Sequence, residues 1–309
     1  MVNRWREGGT NVRKSMGDER KIPGSPVCHE IITDTVGTRP PCEQPQGTLG
    51  LLWSTLVSVG SHFWRLVVIT CYMGATYVVG GLLASGLLWY LLKGHPEWFR
   101  VLKEPILWLL FTPIFTGYAY AVLLEFQGFR PRPREIFLPF DGLNLYFTVL
   151  VAGVLPDFGF WLFRVLSGSF SWSFFETLGH DRPLAAEFLR MVPGIAFKLI
   201  FLPFVFAGID ALVTRKRLLK TIGHTLGLVI RDKRLFVGFF LVSLVSLLVI
   251  ATSMALFWHD RACLKEMSLT ALLTTLVLMT LSMMLGAAIR VQFYREFVWR
   301  EREATTLAT

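Results

Sequence analysis

Two charges stand inside long apolar runs: Asp157 in LYFTVLVAGVLPDFGFWLFRVL (145–166) and Lys198 in VPGIAFKLIFLPFVFAGIDALV (192–213). A carboxylate and an ammonium in such surroundings can do one of two things. They can neutralise each other as an ion pair that fixes helix register, or they can relay a proton or ion. If the two runs cross a membrane in opposite directions, Asp157 lies roughly 18 Å from the inner end of its run and Lys198 roughly 9 Å below the outer end of its own. In a hydrocarbon core of about 30 Å these depths differ by only roughly 3 Å. An ion pair between adjacent helices is therefore expected, with packing and register as its first role and an ion path as the alternative.

Other residues that could do chemistry are sparser. His180, Asp181 and Glu176 share one polar segment, SGSFSWSFFETLGHDRPLAAEFLR (167–190). Neighbouring His and Asp side chains point different ways, so the segment reads as loop polarity more readily than as an acid/base cluster. Trp172, Phe174 and Phe175 in it suit an interfacial belt. Glu125 and Asp210 lie near span ends, where water is expected to reach them, and Arg164 is expected to snorkel outward. The four cysteines (28, 42, 71, 263) form no CxxC, and Cys28, His29 and Cys42 are too few for a closed zinc site. Cys71 reads as a small apolar filler. No phosphate loop, GxSxG or HExxH occurs, so no catalytic residue, metal or cofactor is assigned.

The elements that must carry these residues are helices. The chain has 309 residues, 53% hydrophobic and 17% charged, with a mean hydropathy of +0.52. Its apolar residues gather into runs near 20 long, the length of a membrane-crossing helix. Six are expected: 66–92, 105–124, 145–166, 192–213, 235–257 and 268–289. Helices are required because a membrane strand needs short alternating segments closed into a barrel. The fold class is thus all-α, a polytopic membrane protein with six transmembrane helices and cytoplasmic interfacial amphipathic helices. Residues 1–46 read as a disordered cytoplasmic tail, 47–298 as the transmembrane domain and 299–309 as a second cytoplasmic tail.

Orientation follows from the basic residues. With the N-terminus inside, the cytoplasmic segments hold twenty-two Lys and Arg against eight outside. That bias assigns both termini to the cytoplasm. Seven of the twenty-two fall in TRKRLLKTIGHTLGLVIRDKR (214–234): Arg215, Lys216, Arg217, Lys220, Arg231, Lys233 and Arg234. A net charge of +9 would suggest nucleic acid in a soluble chain. Here Leu218, Leu219, Ile222, Leu226, Val229 and Ile230 recur at helical spacing between the basic residues. That pattern points to a helix in the headgroup layer touching anionic lipids, not to nucleic acid.

A segment of mixed polarity precedes each odd-numbered span: 51–65, 134–144 and 218–234. The chain thus reads as three units of interfacial element plus helical hairpin. Gly74, Gly80, Gly81 and Gly86 stud the first span beside Ala75, Ala84 and Ser85, which suits close helix packing, internal or to a second subunit. Pro113 and Pro203 are placed to kink helices, while Pro156 and Pro193 interrupt or begin others.

Three stretches carry a resemblance: PIFTGYAYAVLLEFQGFRPRPREIFLPFDGL, LPFVFAGIDALVTRKRLLKTIGHTLGLVIRDKRLFVGFFLV and the closing GAAIRVQFYREF with its Tyr-Arg pair. Over roughly residues 50–298 the chain resembles bacterial six-span membrane proteins of unknown function. It is similar in pattern to the membrane domain of some glycerophosphodiester phosphodiesterases. The resemblance implies a six-helix fold in the inner membrane and supplies no catalytic residues; the barrel of such an enzyme has no room here. The function expected is a non-catalytic scaffold, regulator or subunit of a membrane complex, with a membrane-protein partner or a second copy. A small transporter with a path near Asp157 and Lys198 is the alternative, and a lipid-modifying intramembrane enzyme the third reading.

Overall fold

The computed structural model describes residues 47–166, 192, 195–196, 199–245, 247–248 and 269–306. Among them every regular element is helical and no strand occurs. The order is α1 (Thr48–Ser61), α2 (Phe63–Leu91), α3 (Pro96–Phe126), a 3-10 segment (Pro133–Asp141), α4 (Leu143–Leu166), α5 (Phe204–Thr214), α6 (Leu218–Arg231), α7 (233–245) and α8 (Leu269–Thr306). Among the described residues two helices are long and apolar enough to cross a membrane: α2, and the Pro105–Phe126 part of α3. The 3-10 segment and the first part of α4, bent by 102°, make a third if they count as one span. Of the remaining runs, 192–213 and 235–257 extend in part outside the described residues, and 268–289 lies in α8 apart from residue 268. The tail 1–46, with Cys28, His29 and Cys42, and the segment 167–190, with Glu176, His180 and Asp181, also lie outside them.

Local chemistry sets the helix ends. Pro96 starts α3 at a position where its missing N–H costs nothing, and Glu97 places a negative charge in the first turn. Gly128 adopts φ +82° after α3, and the N–H groups of Gly128 and Phe129 return to the carbonyls of Glu125 and Leu124. Pro113 sits inside the continuous helix α3, Pro156 lies inside α4, and Pro203 stands at the N-cap of α5. Arg215 ends α5 in the left-handed region at φ 53°, its N–H bonded to Ala211 O at 3.0 Å. An L-residue there costs about 1–2 kcal/mol, and the sharp turn it makes sends α6 back across the end of the bundle.

The core joins α3, α4, α5, α7 and α8, and α1, α2 and α6 each add buried residues to it. Phe206 stacks on Phe239 at 4.6 Å between ring centroids and meets Phe297 edge-on at 5.5 Å. Gly117 lets α3 lie directly on the 3-10 segment: a Cβ there would overlap the carbonyl of Ile136. By contrast α2 is only edge-attached. Leu66, Ile69 and Met73 are buried, while Tyr72, Val79, Leu83 and Leu87 are exposed. Gly80 and Gly81 face Phe111, as close packing requires, whereas nothing lies near Gly74 or Gly86. Cys71, expected as a filler, is exposed on this open side.

Candidate functional site

The chemistry of the described residues collects in a layer at one end of the bundle, organised by the last turns of α8. Residues 292, 296 and 300 form one stripe at intervals of four; 294, 297 and 301 form a second at intervals of three and four. Both periods return a side chain to the same helix face.

On the second stripe Tyr294 O–H donates to Asp210 Oδ1 at 2.8 Å. Asp210 Oδ2 accepts from His224 Nδ1 at 3.1 Å, and the other ring nitrogen, Nε2, meets Glu301 Oε2 at 2.9 Å. Arg231 lies 3.9 Å from the second oxygen of Glu301. An imidazole bonded to a carboxylate at each nitrogen has no acceptor work to do and is matched as the doubly protonated cation. The hydrogen bond to Asp210 accordingly holds His224 above the usual histidine range, with Glu301 adding to it and burial opposing. The array runs from half-buried Glu301 and His224 to Asp210 and Tyr294, which are 0% and 1% exposed.

On the first stripe Gln292 Nε2 donates to Ser58 Oγ of α1 at 3.2 Å. Arg300 donates to buried Glu296 at 2.8 Å and to Asp232, in the link between α6 and α7. A second cluster lies beside the layer, where Glu125, 1% exposed at the end of α3, accepts on one oxygen from His62 Nδ1 at 2.7 Å and Arg65 at 3.0 Å. Of the four buried carboxylates among the described residues, Glu125, Asp210 and Glu296 are each met by cations from other elements or from the next turn, while Glu135 accepts from the Arg132 N–H at 3.1 Å. Alone, each would cost several kcal/mol in desolvation; paired and hydrogen-bonded, much of that is offset.

Glu125 and Asp210 correct the expectation that water reaches them. Both stand at helix ends, but His62 and Arg65 close over one, and α6 with α8 covers the other. The expected pairing of Asp157 with Lys198 falls outside the described residues: Lys198 is not among them, and of Asp157 only its place in α4 is described. The seven basic residues of 214–234 all occupy exposed positions. α6 forms there, but its buried face is Thr221, Thr225, Leu228 and Val229, while Leu219 and Ile230 of the expected stripe are 82% and 65% exposed. The helix therefore has two faces, one turned to the bundle and one outward.

Composition and spacing do not by themselves single out His62, His224, Glu296 and Glu301. A signal existed for two of them. His62 and Arg65 are three apart, so one helix face presents both to a single anion, and His224 lies one turn from Thr221 on the polar part of an otherwise apolar face. Comparison with family models, curated proteins and solved structures finds no match to this chain. The likeness to bacterial six-span proteins therefore stands on sequence pattern alone. Among the described residues the chain is all-helical, with two or three helices long and apolar enough to cross a membrane.

Proposed function

We propose that this is a six-span protein of the inner membrane, both termini cytoplasmic, acting as a non-catalytic scaffold, regulator or subunit of a membrane complex. The observation that carries this reading is the use of its buried ionisable groups. Glu125 joins α3 to α2, Asp210 joins α5 to α6 and α8, and Glu296 holds the Arg300 that reaches Asp232 in the link between α6 and α7. The resulting layer holds α1 and α6 rigidly against the bundle and presents basic residues to anionic headgroups. On the same reading, the open side of α2 is where a neighbouring membrane helix would lie. Gentle extraction into nanodiscs, with a photocrosslinker at Leu83, tests this. A single protein adduct at fixed stoichiometry is expected, and adducts with lipid alone would remove the scaffold reading.

A transporter is the second reading, and one observation favours it. Glu301, His224, Asp210 and Tyr294 form an unbroken series of exchangeable groups leading inward. On that reading proteoliposomes carrying the protein leak protons, and Asp210→Asn stops the leak. Flux equal to that of empty vesicles would dismiss it.

A further inference from the structure

A cleft of about 390 Å³ opens between the start of α2 and the link after α3, lined by Trp64, Arg65, Val68, Ile69, Glu125 and Arg130 among others. Its chemistry is divided. One wall is apolar, with Val68 64% and Trp64 77% exposed. The other holds two guanidinium groups against one carboxylate. That carboxylate, Glu125, already receives His62 and Arg65 on one oxygen, so the cleft is left with excess positive charge. Glu125 also tethers Arg65: one terminal nitrogen is bound at 3.0 Å, which keeps the guanidinium at the cleft and leaves its other N–H groups available. Arg130 stands at an exposed position across the cleft.

We propose that this cleft seats the phosphate of an anionic membrane phospholipid between Arg65 and Arg130, with an acyl chain running along Val68 on the open side of α2. Two forked guanidiniums match the oxygens of a phosphate better than two ammonium groups would. A tryptophan at the end of an apolar helix belongs at headgroup depth, which sets the cleft level with lipid phosphates. The site is separate from the basic run at 214–234. That run presents basic residues at exposed positions along a helix and its flanks, whereas here one arginine meets a buried carboxylate and an apolar wall adjoins it.

Native mass spectrometry of the full-length protein in detergent, titrated with phosphatidylglycerol, phosphatidylcholine or inorganic phosphate, tests the assignment. One phosphatidylglycerol per chain is expected to bind in preference to phosphatidylcholine. Arg130→Gln, at an exposed position, is expected to weaken it about tenfold, the worth of one charge-assisted bond. Arg65→Lys, which keeps the charge facing Glu125 but loses the fork, is expected to weaken it several-fold. Lys216→Gln in the basic run is expected to leave this tight site within about twofold, since it removes only a screened surface charge. Equal losses from Arg130→Gln and Lys216→Gln would show diffuse attraction and overturn the site. Equal binding of phosphatidylcholine would overturn the requirement for an anionic headgroup. Displacement by inorganic phosphate at matching concentration would reassign the cleft to a free anion.

Discussion

Replacing Asp210 by Asn keeps the side chain's shape and removes its charge, which isolates what the buried array contributes. Two bonds end on this carboxylate, from Tyr294 at 2.8 Å and His224 at 3.1 Å. The Asn carbonyl oxygen still accepts from Tyr294, but the amide nitrogen now faces a ring nitrogen that also donates. A hydrogen bond to a charged group contributes about 1.5–3 kcal/mol. His224 is 21% exposed and keeps Glu301, so the loss falls in the lower part of that range, at about 2 kcal/mol. Asp210→Ala removes both bonds and buries the Tyr294 hydroxyl without its acceptor, for about 3–5 kcal/mol. Thermal unfolding in detergent micelles across pH reads the effect, and its pH dependence carries the sharper test. His224 has a folded pKa above its unfolded value, so its contribution is complete below about pH 6.5 and disappears as pH rises through the raised folded value. The wild type is therefore expected to lose stability over that window, and Asp210→Asn to lose much less. Equal pH slopes in the two proteins, or a cost for Asp210→Asn within about 0.5 kcal/mol of zero, a size ordinary for surface substitutions, would refute the account of His224 as a cation clamped between two carboxylates.

Other expectations rest on close approaches and on the second cluster. Gly117→Ala drives a methyl group into the Ile136 carbonyl, which cannot rotate away, and folded yield on size exclusion should collapse. Gly153→Ala meets only the methyl of Thr112, so Thr112→Ser should restore most of the lost melting temperature. In the buried hydroxyl pair Thr70 and Tyr118, 2.7 Å apart, Thr70→Val should lower stability by about 1–2 kcal/mol, because Tyr118 loses its side-chain partner. Glu125→Gln should cost about 1–2 kcal/mol, because the amide oxygen still accepts but no longer carries the charge that faces His62 and Arg65. In a double-mutant cycle with His62→Gln, a coupling above about 0.5 kcal/mol is expected for such contacting residues.

What could be read from the sequence follows from what its patterns report. Apolar runs register where water is absent, so the expected runs 66–92 and 145–166 nearly coincide with the helices over 63–91 and 143–166. The run 105–124 lies within a helix that begins nine residues earlier, at 96. The helix at 218–231 was expected as well. Periodicity does not report which side of a two-faced helix turns to the protein. The apolar residues Leu218, Leu219, Ile222, Leu226, Val229 and Ile230 therefore gave no sign that Thr221, Thr225, Leu228 and Val229 form the face turned to the bundle. Rules for polar residues at span ends likewise assume water beyond the end. That assumption failed at Glu125 and Asp210 because partners 60 or more residues distant in sequence close over them: Arg65 and His62 over one, Tyr294 over the other. No local pattern encodes a contact of that range. The Tyr-Arg pair at 294–295 marked the end of the last apolar run without revealing that the hydroxyl reaches Asp210.

The sequence separations within the array impose an order on its assembly. His224 reaches Asp210 across 14 residues, so this bond can close as soon as α6 follows α5 out of the ribosome. Tyr294 and Glu301 are 84 and 77 residues from their partners, Asp210 and His224, and arrive only with α8. Without α8 the buried carboxylate would keep only the imidazolium and the imidazolium only Asp210, so α8 closes a polar array that the helices before it leave half paired. A product truncated before residue 294 would keep its earlier helices but expose an unsealed polar seam, the kind of defect that membrane quality-control proteases can recognise.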